Sequence, residues 1–158
     1  MARAVANCKF ELFHRIKFRT VIRGHHVYKS VWTPYNGESL EAYIDDRAEA
    51  KEYDPYAVGI YKKTELGEKE LVGHVPIELS SLIFHFLNAN PENRITVKVT
   101  GKRKREVGLV VPAQFNGLTK EKKVAMVLDA EISKRKKRYE SFLELKHQVK
   151  RNYRMFPE

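Results

Sequence analysis

Apolar and polar residues alternate in a series of short runs along most of the chain, which is the pattern of half-buried β-strands. The alternation is clearest at residues 18–23 and at 94–101, where Ile95, Val97 and Val99 fall on one side. Residues 9–32 as a whole are rich in aromatic and β-branched types, which strands favour. Further strands are predicted at 40–46, 57–63, 71–75 and 107–115.

Turn-forming residues separate these runs. Gly24 interrupts the first run, which predicts a bulge or a place where another group approaches the backbone closely. Pro34 and Asn36–Gly37 predict a turn at 33–39, and Gly67 predicts another within 64–70. The charged segment 102–106 is predicted to be a turn as well.

One short segment has the period of a helix. Pro76 is suited to the start of a helix, and the residues after it that share one helical face are Leu79, Leu82, Ile83 and Phe86. Residues 88–93, which include Pro91, end this helix. Six or seven short strands with one helix indicate a mainly β (α+β) protein, and we expect a small, partly open β-barrel of the OB type.

The last part of the chain has a different character. From 119 to 154 it contains neither Gly nor Pro and is dominated by good helix formers. Thr119 is a candidate N-cap. The apolar residues that recur at helical spacing are Val124, Val127, Leu128 and Ile132. We predict one basic amphipathic helix, or two helices broken near Ser133. The expected organisation is an N-terminal extension, part strand, at 1–17, a barrel domain at 18–115 and a helical extension at 116–158.

The net charge of the chain limits the classes of binding partner that it favours. Thirty lysines and arginines against twenty aspartates and glutamates leave a net charge of +10, and residues 119–158 carry +6 of it. Such an excess favours polyanionic partners, nucleic acid first and an anionic membrane second. The alternative is that the charge serves only to keep the protein in solution.

Cysteine content and hydropathy indicate the cellular compartment of the protein. Cys8 is the single cysteine, so the chain can form neither an internal disulfide nor a cysteine-based zinc site, which fits a reducing compartment. No apolar run approaches the roughly 18–20 residues of a membrane span, and the first residues lack the apolar core of a signal peptide. We expect an intracellular protein that does not associate with membranes.

Motifs of catalysis are missing from the sequence. There is no Gly-rich phosphate loop, nucleophile elbow or HExxH motif, and the six histidines do not have common ligand spacing. His26, His74 and Asp54 are weak candidates for a metal site, and Asp45–Asp46 with Asp54 for a magnesium-dependent nuclease site. Because acidic residues in turns are mostly solvated, we expect a protein that is not an enzyme and needs no cofactor or metal.

Aromatic rings and cations are interleaved in the first half of the chain. Small β-barrels bind single strands by combining a cationic groove with rings on which bases stack. The rings are Tyr28, Trp32, Tyr35, Tyr43, Tyr53, Tyr56 and Tyr61, and the cations between them are Arg23, Lys29, Lys51, Lys62 and Lys63. This pattern favours binding of single-stranded nucleic acid, DNA or RNA. The alternative for any one tyrosine is packing at the margin of the core.

Two short motifs in this region resemble those of the HIRAN domain, a module of helicase-like transcription factors, of nuclease and helicase fusions and of stand-alone proteins. The first motif comprises Tyr53, Asp54, Ala57 and Val58, and the second comprises Val72, Gly73, His74, Val75 and Pro76. Either motif alone is weak, whereas the pair at this spacing is fairly specific. The resemblance covers residues 18–115 and implies a modified OB-like barrel that captures the 3′ end of single-stranded DNA.

The resemblance also implies roles for individual residues. Tyr53 matches a ring that stacks on the terminal base, and Asp54 matches a carboxylate that accepts a hydrogen bond from the free 3′-hydroxyl. His26, Tyr28 and His74 match further DNA-binding positions. The alternative is that Asp54 caps the following turn and that Tyr53 is simply packed.

The chain departs from the family pattern at three positions. Val27 stands where the family has a second stacking ring, and His26 stands where it has an arginine. Ile77 replaces a phosphate-binding lysine early in the helix.

Basic residues outside these positions are expected to contact phosphates without reading sequence. They are Arg23, Lys29, Lys102, Arg103, Lys104, Arg105, Lys134, Arg135, Lys136, Lys137 and Arg138. The runs 102–105 and 134–138 also resemble nuclear-import signals, which favours a nuclear protein with a role such as DNA repair. The leading alternative is a protein-interaction or structural module in which the tail helix docks on a partner. A metal-dependent nuclease is a weaker alternative.

Overall fold

The computed structural model describes residues 12–28, 30, 32–106 and 108–155, without the side chains of residues 26, 106 and 152–155. The strands within these ranges are β1 (His14–Ile22), β2 (Ser39–Ile44), β3 (Val58–Lys63), β4 (Lys69–His74), β5 (Arg94–Val99), β6 (Lys104–Glu106) and β7 (Gly108–Thr119). The helical segments are α1 (His25–Tyr28), α2 (Ala48–Tyr53), α3 (Ile77–Ala89) and α4 (Lys122–Met155). The strands predicted at 40–46, 57–63, 71–75 and 94–101 and the helix after Pro76 are confirmed.

The strands form an antiparallel sheet that curls back on itself. Their order is β1-β7-β5-β2-β3-β4, with β6 paired to β7. Although β1 and β4 stand at opposite ends of this order, the backbones of Arg23 and His74 exchange two hydrogen bonds of 2.9 Å just beyond β1 and at the end of β4. In the described part of the chain this pair closes the barrel at one point. The predicted fold class, a partly open OB-like α+β barrel, is confirmed.

Alternation along the strands places every second side chain inside the barrel. Ile95, Val97 and Val99 of β5 are buried, as their spacing predicts. α3 contributes Leu79, Ile83 and Phe86 to the same core. Because apolar burial is the main favourable term in folding, this shared core holds sheet and helix together.

A buried polar pair fixes the loop before β2. The indole N–H of Trp32 donates to both carboxylate oxygens of Glu38, at 3.0 and 3.1 Å, and both side chains are buried. The predicted turn at Asn36–Gly37 follows, with Gly37 at a φ of 91°. A buried indole N–H needs an acceptor, so the glutamate is part of the structure of this loop.

Residues 9–32 are rich in types that strands favour, but the strand does not continue past Gly24. Gly24 has a φ of 83°, which glycine adopts without strain, and the chain then forms the helical turn α1. The short helix α2 is not predicted, because it buries no residue and therefore leaves no apolar stripe in the sequence. The predicted turn at 102–106 includes the short strand β6.

α4 is a single helix of 34 residues, so the predicted alternative of a break near Ser133 is wrong. Its buried residues are Ala125, Leu128 and Ile132, whereas Val127 of the predicted stripe is exposed. Thr119 does not cap this helix directly. It ends β7, and its Oγ1 accepts a 3.3 Å hydrogen bond from the Glu121 N–H just before the helix begins.

The predicted segment boundaries fall inside regular elements. The boundary at 17/18 lies within β1 and that at 115/116 within β7, which pairs with β1 from His14–Thr119 to Ile22–Val111. The division into three segments stays a prediction. Among the described residues, none of the helices combines the length and apolar character that crossing a bilayer requires.

Candidate functional site

A cavity of about 800 Å³ opens beside the point where the barrel closes. Its walls come from the Gly24 loop with α1, from α2 and the residues after it, from the starts of α3 and β7, and from the second half of α4. Elements far apart in the sequence meet here because Arg23 and His74 join β1 to β4. We refer to this space as the cavity.

Tyr53 and Asp54 lie side by side on its wall. Tyr53 is the last residue of α2 and is 87% exposed. Asp54 follows in extended conformation and is only 9% exposed, with its N–H donating to the Ala50 carbonyl at 2.8 Å. The ring is therefore presented to solvent while the neighbouring carboxylate is held deep.

The Asp54 carboxylate is oriented by the turn that follows it. Its Oδ1 accepts the Tyr56 N–H at 2.9 Å, and the Ala57 N–H donates to the Asp54 carbonyl at 3.1 Å. Asp54 thus caps the turn, as one of the alternatives held, but Tyr53 is not packed as that alternative also required. Among the described residues no donor contacts Oδ2, so this oxygen can accept a hydrogen bond from a ligand.

Arg47 and His74 both bond to the buried carboxylate of Asp45 and support another wall; we call these three residues the Asp45 cluster. The Asp45 side chain is fully buried and accepts hydrogen bonds of 2.9 Å from both Nε and Nη2 of Arg47. His74 Nε2 lies 2.7 Å from Oδ2, the oxygen that also accepts from Arg47 Nη2. Arg47 is half exposed and lines the cavity, as does Tyr28.

The electrostatics of this cluster favour the ionised state of both partners. Burial by itself raises the pKa of Asp45, but the hydrogen bonds from Arg47 and His74 outweigh it and lower that pKa to about 2. The same hydrogen bond to Asp45 raises the pKa of Arg47. A permanently charged guanidinium is therefore held in a fixed orientation at the edge of the cavity.

Arg23 links the closure point to two helices. Its Nη2 lies 3.4 Å from Glu78 Oε1 at the start of α3 and 3.4 Å from the Tyr139 hydroxyl on α4. All three side chains line the cavity. Its guanidinium therefore has protein partners in this structure, and the expected contact of Arg23 with phosphate stays a prediction.

α4 contributes Tyr139, Phe142, Leu143 and Lys146 to the cavity. Three contacts from the preceding turn hold the helix in this position. Arg135 donates to the Glu78 carbonyl at 3.2 Å and to Ser81 Oγ at 2.9 Å, and Lys136 donates to the Arg19 carbonyl at 2.7 Å.

The structure brings part of the predicted site together. Tyr28, Tyr53, Asp54 and His74 all line the cavity, as does Arg23. Lys29 and the side chain of His26 lie outside the described residues.

The two predicted basic runs lie elsewhere. Arg103 Nη1 is 3.4 Å from His25 Nε2, and the other members of the first run, Lys102, Lys104 and Arg105, are exposed. In the second run Lys134 pairs with Glu131 at 3.2 Å and Arg135 and Lys136 hold α4, which leaves Lys137 and Arg138 exposed.

Sequence reasoning missed Arg47, Glu78, Tyr139, Phe142 and Lys146. Of the aspartates considered as candidate metal ligands, Asp45 is bonded to Arg47 and His74, Asp46 is exposed, and Asp54 caps a turn. Across the part of the chain that the structure describes, no group of three or more His, Cys, Asp or Glu side chains could hold a metal ion. No binding motif marks the missed residues, since each contributes to the cavity through tertiary contacts.

Comparison with known proteins gives one informative result. Neither the family models nor the curated proteins match the chain. Among solved structures, the chain is similar to the crystal structure of the HIRAN domain of human HLTF, with a TM-score of 0.53 and 17% sequence identity. The match covers 75% of this chain and 88% of that one. This similarity shows that the chain has the fold of a HIRAN domain.

Proposed function

We propose that the cavity binds single-stranded DNA and prefers a strand that ends in a 3′-hydroxyl. The observation that carries the proposal is the placement of Tyr53 and Asp54 as neighbours on one cavity wall, the ring exposed and the carboxylate recessed. The HIRAN fold supports it, since the resemblance of the two sequence motifs implies this function. The net charge of +10 also favours a polyanionic ligand.

Tyr53 supplies a surface on which the terminal base stacks. When a base stacks on an exposed ring, the two facing surfaces lose water, and stacking of this kind is worth about 1–3 kcal/mol per base. Tyr28 lies on the same cavity with its ring 6.4 Å from that of His74. These two rings extend the apolar lining next to the base.

Asp54 distinguishes the end of a strand from its interior. Tyr56 holds Oδ1, so Oδ2 accepts a hydrogen bond from a terminal hydroxyl. A terminal phosphate at the same place would bring negative charge against the carboxylate and, as the dianion, would have no proton to donate. The resulting discrimination combines an attractive contact for one ligand with repulsion of the other.

Arg47 is the cation best placed to contact the last phosphate. It is charged, half exposed and oriented by Asp45, so less side-chain entropy is lost when it binds an oxyanion. His26 and Lys29 remain proposed contacts, as do the exposed members of the runs 102–105 and 134–138. Those surface cations would add salt-dependent affinity without preference for the end. Binding of RNA, a protein partner at the tail helix and nuclear localisation also stay predictions.

A titration with short, 5′-labelled single strands that end in a 3′-hydroxyl or a 3′-phosphate tests the proposal. Fluorescence anisotropy should show tighter binding of the hydroxyl end. D54N keeps an acceptor for the Tyr56 N–H but loses the charge, so it should bind both ends alike.

Substitutions at Tyr53 test the stacking. Y53A should weaken binding by about fivefold or more and Y53F should not, because only the first removes the ring. Y35A is a matched control, since Tyr35 is also exposed but lies outside the cavity. Equal affinity of the wild type for the two ends would remove the role of Asp54. Failure to bind any single strand would favour the protein-interaction alternative.

A further inference from the structure

We propose that α4 forms the second half of the DNA site, with Phe142 stacking on the base next to the terminal one and Lys146 contacting its phosphate. This inference rests on the proposed function and extends it from one nucleotide to two. It assigns a binding role to a helix that lies outside the HIRAN-like part of the sequence.

Contacts with the core, with α3 and with Arg23 fix the position of α4. Ala125, Leu128 and Ile132 anchor its first half in the core. Arg135 then bonds to the start of α3 and Tyr139 to Arg23, so the helix reaches the cavity in a defined orientation. The next turn, with Phe142 and Lys146, forms part of the cavity wall.

Phe142 has the exposure expected of a stacking surface. It lines the cavity and is 53% exposed, although phenylalanine has no polar atom that could favour contact with water. Val27, Tyr53 and Ile77 line the same cavity and are also exposed. Exposed apolar side chains gathered around a concave space mark a binding site more strongly than the same residues scattered singly.

Lys146 supplies a cation at the same place. It follows Phe142 by one helical turn, and its Nζ lies 5.5 Å from the centre of that ring. The ammonium lies over the ring, so a base would stack on the opposite face, and the pair places an aromatic surface and a positive charge together, which matches the base and phosphate of one nucleotide. Glu49 of α2, which also lines the cavity, would repel a phosphate placed near it, so the strand is expected to pass along the α4 side, where Glu78 is paired with Arg23.

The test uses the full chain and the same labelled strands at two or more salt concentrations. F142A should weaken binding by about fivefold or more, while the preference for a 3′-hydroxyl over a 3′-phosphate is retained. K146A should reduce the slope of log K against log salt by about 0.7, the value for one phosphate contact on a single strand.

Two neighbours on α4 provide matched controls. Leu145 is 58% exposed and Lys150 is also exposed, and neither lines the cavity, so L145A and K150A should leave affinity and preference unchanged, apart from a small long-range effect of charge. Thermal unfolding of F142A and L145A should agree, because both side chains are largely exposed.

The outcomes separate the two proposals. If the wild type prefers the 3′-hydroxyl and both F142A and K146A match it, the role of α4 is refuted while the proposed function stands. Equal losses in L145A and F142A would also refute it, since the effect would then come from the helix and not from the cavity. If the wild type binds no single strand, both proposals fail.

Discussion

His74 Nε2 lies 2.7 Å from Oδ2 of Asp45, and this contact ties the segment after β2 to the end of β4. The backbone of His74 also exchanges two hydrogen bonds with Arg23, so one residue joins the barrel through its main chain and braces it through its side chain. The cavity forms at this junction. Its shape and the closure of the barrel are therefore coupled.

Removal of the Asp45 carboxylate should destabilise the protein. D45A leaves the Arg47 guanidinium and His74 without their acceptor, and hydrogen bonds to charged groups contribute about 1.5–3 kcal/mol. Because Arg47 is half exposed and can turn to water, we expect a loss of about 2 kcal/mol in the free energy of unfolding. Urea unfolding monitored by the fluorescence of Trp32 measures it.

The neighbouring aspartate provides the control for that experiment. Asp46 is 83% exposed and forms a long 3.7 Å contact with Lys51, so D46A should change the free energy of unfolding by less than about 0.5 kcal/mol. Equal effects of the two substitutions would contradict the structural role of Asp45.

The stabilisation by Asp45 should depend on pH in the acid range. Its pKa in the folded protein is about 2, below the ordinary value of 3.8, so the folded state binds the proton more weakly than the unfolded state. The contribution is complete above about pH 5 and is lost progressively as the pH falls from there toward 2. The difference in free energy of unfolding between wild type and D45N should therefore shrink over that interval.

The comparison with D45N isolates this carboxylate, because the other acidic residues titrate in both proteins. Unfolding in urea at a series of pH values between 6 and the acid limit of folding gives the two curves. Curves that stay parallel through the acid range would contradict a lowered pKa at Asp45.

Closure of the barrel requires glycine at position 73. A Cβ added there would lie 2.8 Å from the Arg23 carbonyl oxygen and would overlap the side chain of Ile22. That carbonyl accepts the His74 N–H, so G73A should disturb the closing pair and lower the free energy of unfolding by about 1–3 kcal/mol.

G101A is the matched control for this substitution. A Cβ at Gly101 would meet the Pro112 ring at ordinary distances of 3.6 and 3.8 Å, so little change in stability is expected. Thermal unfolding of the two variants makes the comparison. A stable G73A protein would show that the barrel tolerates separation of β1 from β4.

Most of the regular elements could be predicted because their burial is periodic. Ile95, Val97 and Val99 alternate with polar residues, and Leu79, Ile83 and Phe86 recur at helical spacing, so each element displays in its own sequence which face it buries. α1 and α2 escaped prediction for the same reason. They are short, and α2 buries no residue, so no periodic signal exists.

The candidate site was predictable only in part. Tyr53, Asp54 and His74 belong to short motifs that resemble a known family, and all three line the cavity. Arg47 and Phe142 have no such mark. The orientation of Arg47 depends on the Asp45 carboxylate, which is buried only in the folded protein. Phe142 reaches the cavity because Arg135 and Tyr139 hold α4 in place.

The amino-acid sequence by itself determined most of the strands, the two main helices, the excess of positive charge and the pair of motifs, because each of these depends on composition or on residues close together in the sequence. The tertiary structure decided where the barrel closes, which oxygen of Asp54 remains available and that α4 forms a wall of the cavity. These features arise from contacts between residues such as Arg23 and Tyr139, 116 positions apart. Local periodicity states which face of an element is buried, but it does not state which faces meet.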